Sequence, residues 1–198
     1  MPAVTGRPWF ALLVVLLLSG CATAVVEPAP IRTVSVAPGV SVTLPVSPSP
    51  GRSLEVAQFV TAHYQDRTFS FEGHIAISPE RLLLVGLDTL GRRALTVTWT
   101  ADGVTVDAAS WLPDTLRPGN MLADIVMTYW PEAVVRAALT GASLETARNG
   151  ERVIRRVDGT EVIRIDYGKP WNGVWSGRYH LRNLAWGYAL DIRSEESP

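Results

Sequence analysis

Few residues in this 198-residue chain have the type and spacing to do chemistry, and the first of them is a thiol. Cys21 is the one cysteine, and it follows an apolar run from Trp9 to Leu18. Without a second cysteine it cannot close an internal disulfide. Asp107, Asp114 and Asp124 flank or enter a helical stretch and could pair for general acid–base work. The plainer reading makes Asp114 and Asp124 loop and helix-surface residues. His63, His74 and His180 are scattered without ligand spacing, so no metal site is expected from them. The tandem pairs Arg92-Arg93 and Arg155-Arg156 could meet lipid phosphates. Neighbours in a strand point to opposite faces, so solvated surface is the simpler assignment. There is no G-x-S-x-G elbow, P-loop or H-E-x-x-H. No catalytic residue, cofactor or metal is assigned, and the chain is expected not to be an enzyme. A hydrolase built on the three aspartates ranks last among the readings.

The elements around Cys21 give its thiol a use. The apolar run is too short for a membrane span, which takes about 20 residues, and it ends in small residues as a secretory signal does. Leu18-Ser19-Gly20-Cys21 resembles the bacterial lipobox, in which the cysteine becomes the new N-terminus and is acylated on sulfur and amine. The alternatives are an ordinary secretion signal or a buried core cysteine. On the lipobox reading, residues 1–20 are a signal peptide and Cys21 is the lipid attachment site. Ala22 stands where an aspartate would resemble an inner-membrane retention signal. The expected place is therefore the outer membrane, lipid-anchored, with the folded domain facing the periplasm. Several acyl chains, at about 0.8 kcal/mol per buried methylene, hold a protein stably on a bilayer.

Between Ala22 and Ser53 stand Pro28, Pro30, Pro38, Pro45, Pro48 and Pro50. They exclude helix and favour a semi-extended tether, so residues 21–53 are assigned to the lipidated cysteine and its tether. Within it, Thr33 to Leu44 could dock as an edge strand. A formal net charge of −1 gives no basic footprint for nucleic acid, and no nucleic-acid partner is expected.

Residues 54–198 form the expected folded domain. Phe69, Phe71, Ile75 and Ile77 share one strand face, and Leu95, Val97 and Trp99 alternate with threonines. Tyr188, Leu190 and Ile192 repeat the pattern near the end. Asp102-Gly103, Asn149-Gly150, Asp158-Gly159 and Asn172-Gly173 mark hairpin turns. The signals predict an antiparallel meander of roughly eight to eleven strands. Between Pro118 and Leu139 the spacing turns helical, with Asn120 as a cap, Pro131 in the first turn of a second helix and Gly141 as terminator. The fold class is mainly β (α+β): a curved antiparallel sheet, or incomplete barrel, capped by a mid-chain helical pair.

The stretch Arg81 to Leu87 is apolar on both faces, Leu82 and Leu84 on one and Leu83, Val85 and Leu87 on the other. Both faces should therefore meet something apolar. Two-sided core packing is one explanation; a wall of a lipid-sized cavity is the other. The candidate lining is Leu83, Val85, Leu87, Trp99, Trp111, Leu122, Ile125, Val126 and Trp130, any of which could equally fill a core.

Arg81-Leu82-Leu83-Leu84, then Leu90-Gly91 and the strand Leu95-Val97-Trp99, resemble the LolA/LolB lipoprotein-localisation fold. The insert Leu122 to Leu139 sits where that fold has covering helices, and Arg178 to Ile192 looks like its closing strands. Phe71-Glu72, Leu84-Val85-Gly86-Leu87, Leu122-Ala123-Asp124, Trp130-Pro131, Asn183 and Gly187-Tyr188 also resemble a family of small bacterial outer-membrane lipoproteins of unknown function. The resemblance implies a hydrophobic cavity that receives acyl chains without ATP or covalent chemistry. It implies a lipid or lipoprotein cargo, delivered to the outer membrane, and a periplasmic carrier protein as a candidate partner; a monomer is expected. It also makes Leu90, in the Asp88-Thr89-Leu90-Gly91 loop, the candidate for insertion into the bilayer, the alternative being that it packs under the turn. The competing function is a non-catalytic structural lipoprotein that helps assemble an envelope complex.

Overall fold

A computed structural model describes residues 32–112, 117–168 and 173–197 of the chain. Cys21, Asp114 and Asn172 lie outside the described residues. In chain order the elements are β1 (Thr33–Ala37), β2 (Val40–Thr43), β3 (Leu54–Tyr64), β4 (Arg67–Ile77), β5 (Arg81–Leu87), β6 (Arg93–Thr100) and β7 (Gly103–Ala108). Next come α1 (Pro118–Tyr129), α2 (Glu132–Ala138), β8 (Leu139–Thr140) and β9 (Ala142–Thr146). The chain closes with β10 (Arg152–Arg156), β11 (Glu161–Tyr167), β12 (Gly177–Asn183) and β13 (Tyr188–Glu196).

Ten strands form one antiparallel sheet in the order β7-β6-β5-β4-β3-β13-β12-β11-β10-β9. Its two ends do not pair, so the sheet is an open, curved half-barrel, and α1 fills its concave side. The turns at Asn149-Gly150 and Asp158-Gly159 join β9 to β10 and β10 to β11, with both glycines at positive φ. Period-two alternation sets which side chains face inward. Along β3, Leu54, Val56, Gln58 and Val60 are buried while Glu55, Ala57 and Phe59 are exposed. The register continues this face across the sheet, so that Leu54, Ile77, Leu82, Trp99 and Val104 lie in one row. All five are buried.

The tether assignment needs correction, because part of it is core. β1 and β2 form a hairpin, extended by β8 into a second, three-stranded sheet. Val34, Val36, Val40, Val42 and Leu44 join the same core as the main sheet. Asn183 of β12 donates from Nδ2 to the Val36 carbonyl at 2.8 Å, which ties the hairpin to the large sheet. Pro38 occupies the hairpin turn, and Pro45, Pro48 and Pro50 follow β2, so these prolines spare its ladder.

α1 is apolar over most of its surface because it has protein on nearly every side. Asn120 is not its cap. Arg117 holds that position, Pro118 takes the first helical turn, and Asn120 donates from inside the helix to the Ser35 carbonyl at 3.2 Å. At the other end the Arg152 guanidinium donates to the carbonyls of Met127 (2.7 Å) and Trp130 (2.9 Å). Those are acceptors a helix end leaves without partners. Pro131 caps α2, whereas Gly141 lies beyond it, after β8. Its φ is +80°, and a Cβ there would stand 2.0 Å from the Gly39 carbonyl oxygen. Gly141 therefore lets β8 leave the small sheet while passing against the β1–β2 turn. Among the described residues, no helix is long and apolar enough to cross a membrane.

Candidate functional site

Half of the concave face is filled with aromatic side chains. Trp99 stacks on Trp130 with centroids 5.9 Å apart, and Trp130 meets Trp175 edge-on at 5.8 Å. Trp175 stacks on Tyr129 at 4.3 Å, and Tyr179 closes edge-on against Tyr129 and Tyr167. Toward the far ends of β3, β4 and β13 this filling stops, and a cavity of about 740 Å³ opens between the sheet and α1. That volume lies within the usual range for small-molecule sites, roughly 300–1,000 Å³.

Strand register explains the hollow. One row across the sheet reads Ser194, Gln58, Gly73, Gly86 and Leu95. Of its two glycines, Gly73 lines the cavity and carries no side chain toward the helix. A Cβ at Gly73 would meet Leu84 and Gln58 at 3.6 and 3.8 Å, ordinary contact distances, so the position is small without being forced to be. The next rows supply an apolar floor of Ile192, Val60 and Phe71, then Leu190, Ala62 and Phe69. Tyr64 and Phe69 reach the rim, each a little under half exposed, and Trp186 of the β12–β13 turn borders the same mouth. The closed end is polar but satisfied. The Gln58 amide donates to the Tyr129 hydroxyl at 2.8 Å and to the Ser194 hydroxyl at 3.3 Å.

Asp124 is the charged side chain most deeply set in this lining. It lies on α1, and the Tyr188 hydroxyl donates to it from 3.0 Å of each carboxylate oxygen. Burial pushes its carboxyl up to about 7, and the Tyr188 hydrogen bond only partly opposes this. Burial and the facing carboxylate together raise the Tyr188 phenol well above its ordinary value. Thr128, one helical turn on, also lines the cavity, and its hydroxyl is buried without a hydrogen-bond partner.

Of the candidate lining residues, the structure places Ile125 at the cavity. Leu122, Val126, Trp99 and Trp130 are buried in the filled core beside it. Leu83, Val85 and Leu87 point to the opposite face of β5, half-buried there, while Leu84 reaches the cavity. The two-sided apolar pattern is therefore correct for the strand, but the other face lines the site. Trp111 is half exposed beyond the sheet edge, with the Arg92 guanidinium 4.9 Å from its ring centroid. Leu90 is 76% exposed at the tip of the β5–β6 turn and does not pack beneath it. Asp88 shapes that tip, its carboxylate accepting from the backbone N–H of both Leu90 and Arg92 at 2.9 Å.

The structure does not bring Asp107 and Asp124 together as an acid–base pair. Asp107 is a surface partner of Arg93 at 2.5 Å, whereas Asp124 is buried under the half-barrel. Two of the three histidines meet, His63 and His180 sharing Asp191 on the outer face, while His74 pairs separately with Glu72. The tandem arginines meet carboxylates, Arg92 with Asp88, Arg155 with Glu145 and Glu161, and Arg156 with Asp158. Sequence reasoning missed Gly73, Tyr188 and the role of Asp124 as cavity lining. Gly73 carried a signal, since an isolated glycine within a strand marks a bulge or a close approach.

No curated protein matches the chain. Among solved structures, a LolA superfamily protein from Nitrosomonas europaea is similar at 12% identity and a TM-score of 0.45, over 74% of this chain and 86% of that one. Residues 55–196, from the start of β3 to the end of β13, match the family described as "Protein of unknown function (DUF3261)", and the chain belongs to that family.

Proposed function

We propose that this protein is a non-enzymatic outer-membrane lipoprotein that binds the acyl chains of a lipid or lipoprotein and assists their transfer to the outer membrane. The observation that carries the reading is the cavity of about 740 Å³, floored by aliphatic and aromatic side chains and open to solvent at an aromatic rim. An apolar hollow of that size is unfavourable to leave wet, and an acyl chain would remove its walls from water at about 25 cal/mol per Å². The lipobox at Leu18 to Cys21 supports a place at the membrane where such chains are exchanged. No covalent step is needed for the exchange, since burial drives loading and a more apolar acceptor drives release.

The test is native mass spectrometry of the full chain purified from its own envelope, followed by lipid extraction. The expected result is a discrete added mass that resolves as one acyl-lipid class. A Gly73→Val chain narrows the cavity floor at a position where a Cβ meets only ordinary contacts. It should keep its fold by circular dichroism and lose that mass. A wild-type chain that carries nothing and takes up no offered lipid would overturn the reading in favour of the envelope-assembly role.

A further inference from the structure

The two walls of the cavity differ in chemistry. The sheet side is apolar, with Val60, Phe71, Leu84 and Ile192. The helix side presents Asn120, Asp124 and Thr128 at successive i, i+4 positions, a polar stripe along one face of α1. Most polar groups around the cavity are already engaged. Asn120 donates to Ser35, the Gln58 amide to Tyr129 and Ser194, and His63 at the rim bonds Asp191. Arg117 stands exposed at the start of α1. Two groups on the helix side differ: the Thr128 hydroxyl has no hydrogen-bond partner among the described residues, and Asp124 has Tyr188 as its one side-chain donor there. A carboxylate has about four acceptor sites, and a single hydroxyl proton leaves most of them empty. Buried polar groups are normally satisfied more fully than this.

Depth matters as well. Gln58 and Tyr129 close the inner end, and Tyr64 and Phe69 form the rim. Tyr188 pairs with Tyr64 across β13 and β3, which sets the Asp124–Tyr188 contact just below the rim. In a lipid held tail-first, that is the level of the linkage between acyl chain and head group.

We propose that Asp124 accepts a hydrogen bond from the linkage region of a tail-first acyl lipid, so that the cavity selects chains joined through an amide, or bearing a hydroxyl near the linkage, over plain ester-linked chains. The proposal rests on the acyl-binding reading above. The preference belongs to the ionised form of Asp124: an ester offers only acceptors, which a carboxylate repels, whereas an amide N–H donates to it, and protonated Asp124 would donate to either carbonyl. Sites built around an unpaired polar group discriminate strongly against an analogue that leaves it unpaired.

Two nearly isosteric probes, methyl palmitate and N-methylpalmitamide, test this by displacing a fluorescent acyl probe from the full chain. The measurement is made at pH 8.5, above the raised carboxyl of Asp124, so that its acceptor form is favoured. The amide should bind at least about tenfold tighter than the ester. Asp124→Leu should bring the ratio near one with both probes still binding. Asp124→Asn, the variant closest in shape, offers its own N–H to the ester carbonyl and should compress the ratio too. It serves as the test if the leucine variant does not fold. Equal binding of the two probes by the wild-type chain, or an unchanged ratio in both Asp124 variants, would overturn this proposal alone. Failure of both probes to displace would overturn the acyl reading and this proposal together.

Discussion

Asp124 carries both the chemistry of the cavity and a thermodynamic signature of its own. Its carboxyl is raised from an ordinary 3.8 to about 7 because the neutral form is easier to bury. Between those values the native chain holds a proton that the unfolded chain has released, so stability falls as pH rises. The contribution is fully present below about pH 4 and lost once pH passes about 7. Integrated over that window it is on the order of 4 kcal/mol. Asp124→Asn cannot titrate, so urea unfolding at pH 5 and pH 8 should show a smaller drop than in the wild type. Equal drops in both chains would mean that Asp124 ionises in the native state as it does in solvent. At this scale the sequence was only half legible. Asp124 was visible as a chemistry-bearing residue, but its burial depends on Tyr188, 64 positions away. Helical periodicity sets a residue on a face and says nothing of what that face meets. The same reason separates Leu84 from Leu83: alternation shows two faces, and only the packing of α1 decides which is inner.

At the scale of elements, the small sheet is what holds α1 over the cavity. β1 lies against the helix, where Asn120 donates to the Ser35 carbonyl, and β8 follows directly on α2 and pairs with β2. The tightest junction is at Gly141, with positive φ and the Gly39 carbonyl where a side chain would be. Gly141→Ala should therefore cost about 3 kcal/mol or more, read as a lower urea midpoint. Gly159→Ala makes a control, since it has a positive φ and open space around it. It should cost only the backbone strain, about 1 kcal/mol. Similar losses in the two would show that the Gly39 approach is relieved by a backbone shift. The meander, its hairpin turns and the helical insert were readable because period two, period 3.6 and Asn-Gly or Asp-Gly turns are local signals. The β1–β2 hairpin was not, beyond the hint of a docking edge strand. Proline density argued for a tether, while the alternating valines that make the hairpin core express themselves only through Asn183 and α1, far away in sequence.

The whole molecule is a half-barrel packed unevenly along its length, with aromatic rings at one end and a hollow at the other. Evenly filled cores reach crystal-like density, so a cavity this large is retained only where something enters it or where selection tolerates the loss. Under the proposed function the anchor gives the hollow its place. From Cys21 to the first strand at Thr33 the chain reaches at most about 40 Å fully extended, so a lipidated Cys21 would hold the start of β1 within that distance of the bilayer. Loading and delivery then separate by residue, since the cavity binds and Cys21 localises. A Cys21→Ser chain should leave the outer-membrane fraction and yet displace the fluorescent acyl probe with wild-type affinity. Its transfer of that probe to vesicles of outer-membrane lipid should slow, because each delivery would require a diffusive encounter instead of a tethered one. Fractionation and a vesicle transfer assay read the two effects independently. A Cys21→Ser chain that remains in the outer-membrane fraction would move the anchor elsewhere. Unchanged transfer from a soluble chain would mean that the cavity delivers without being held at the membrane.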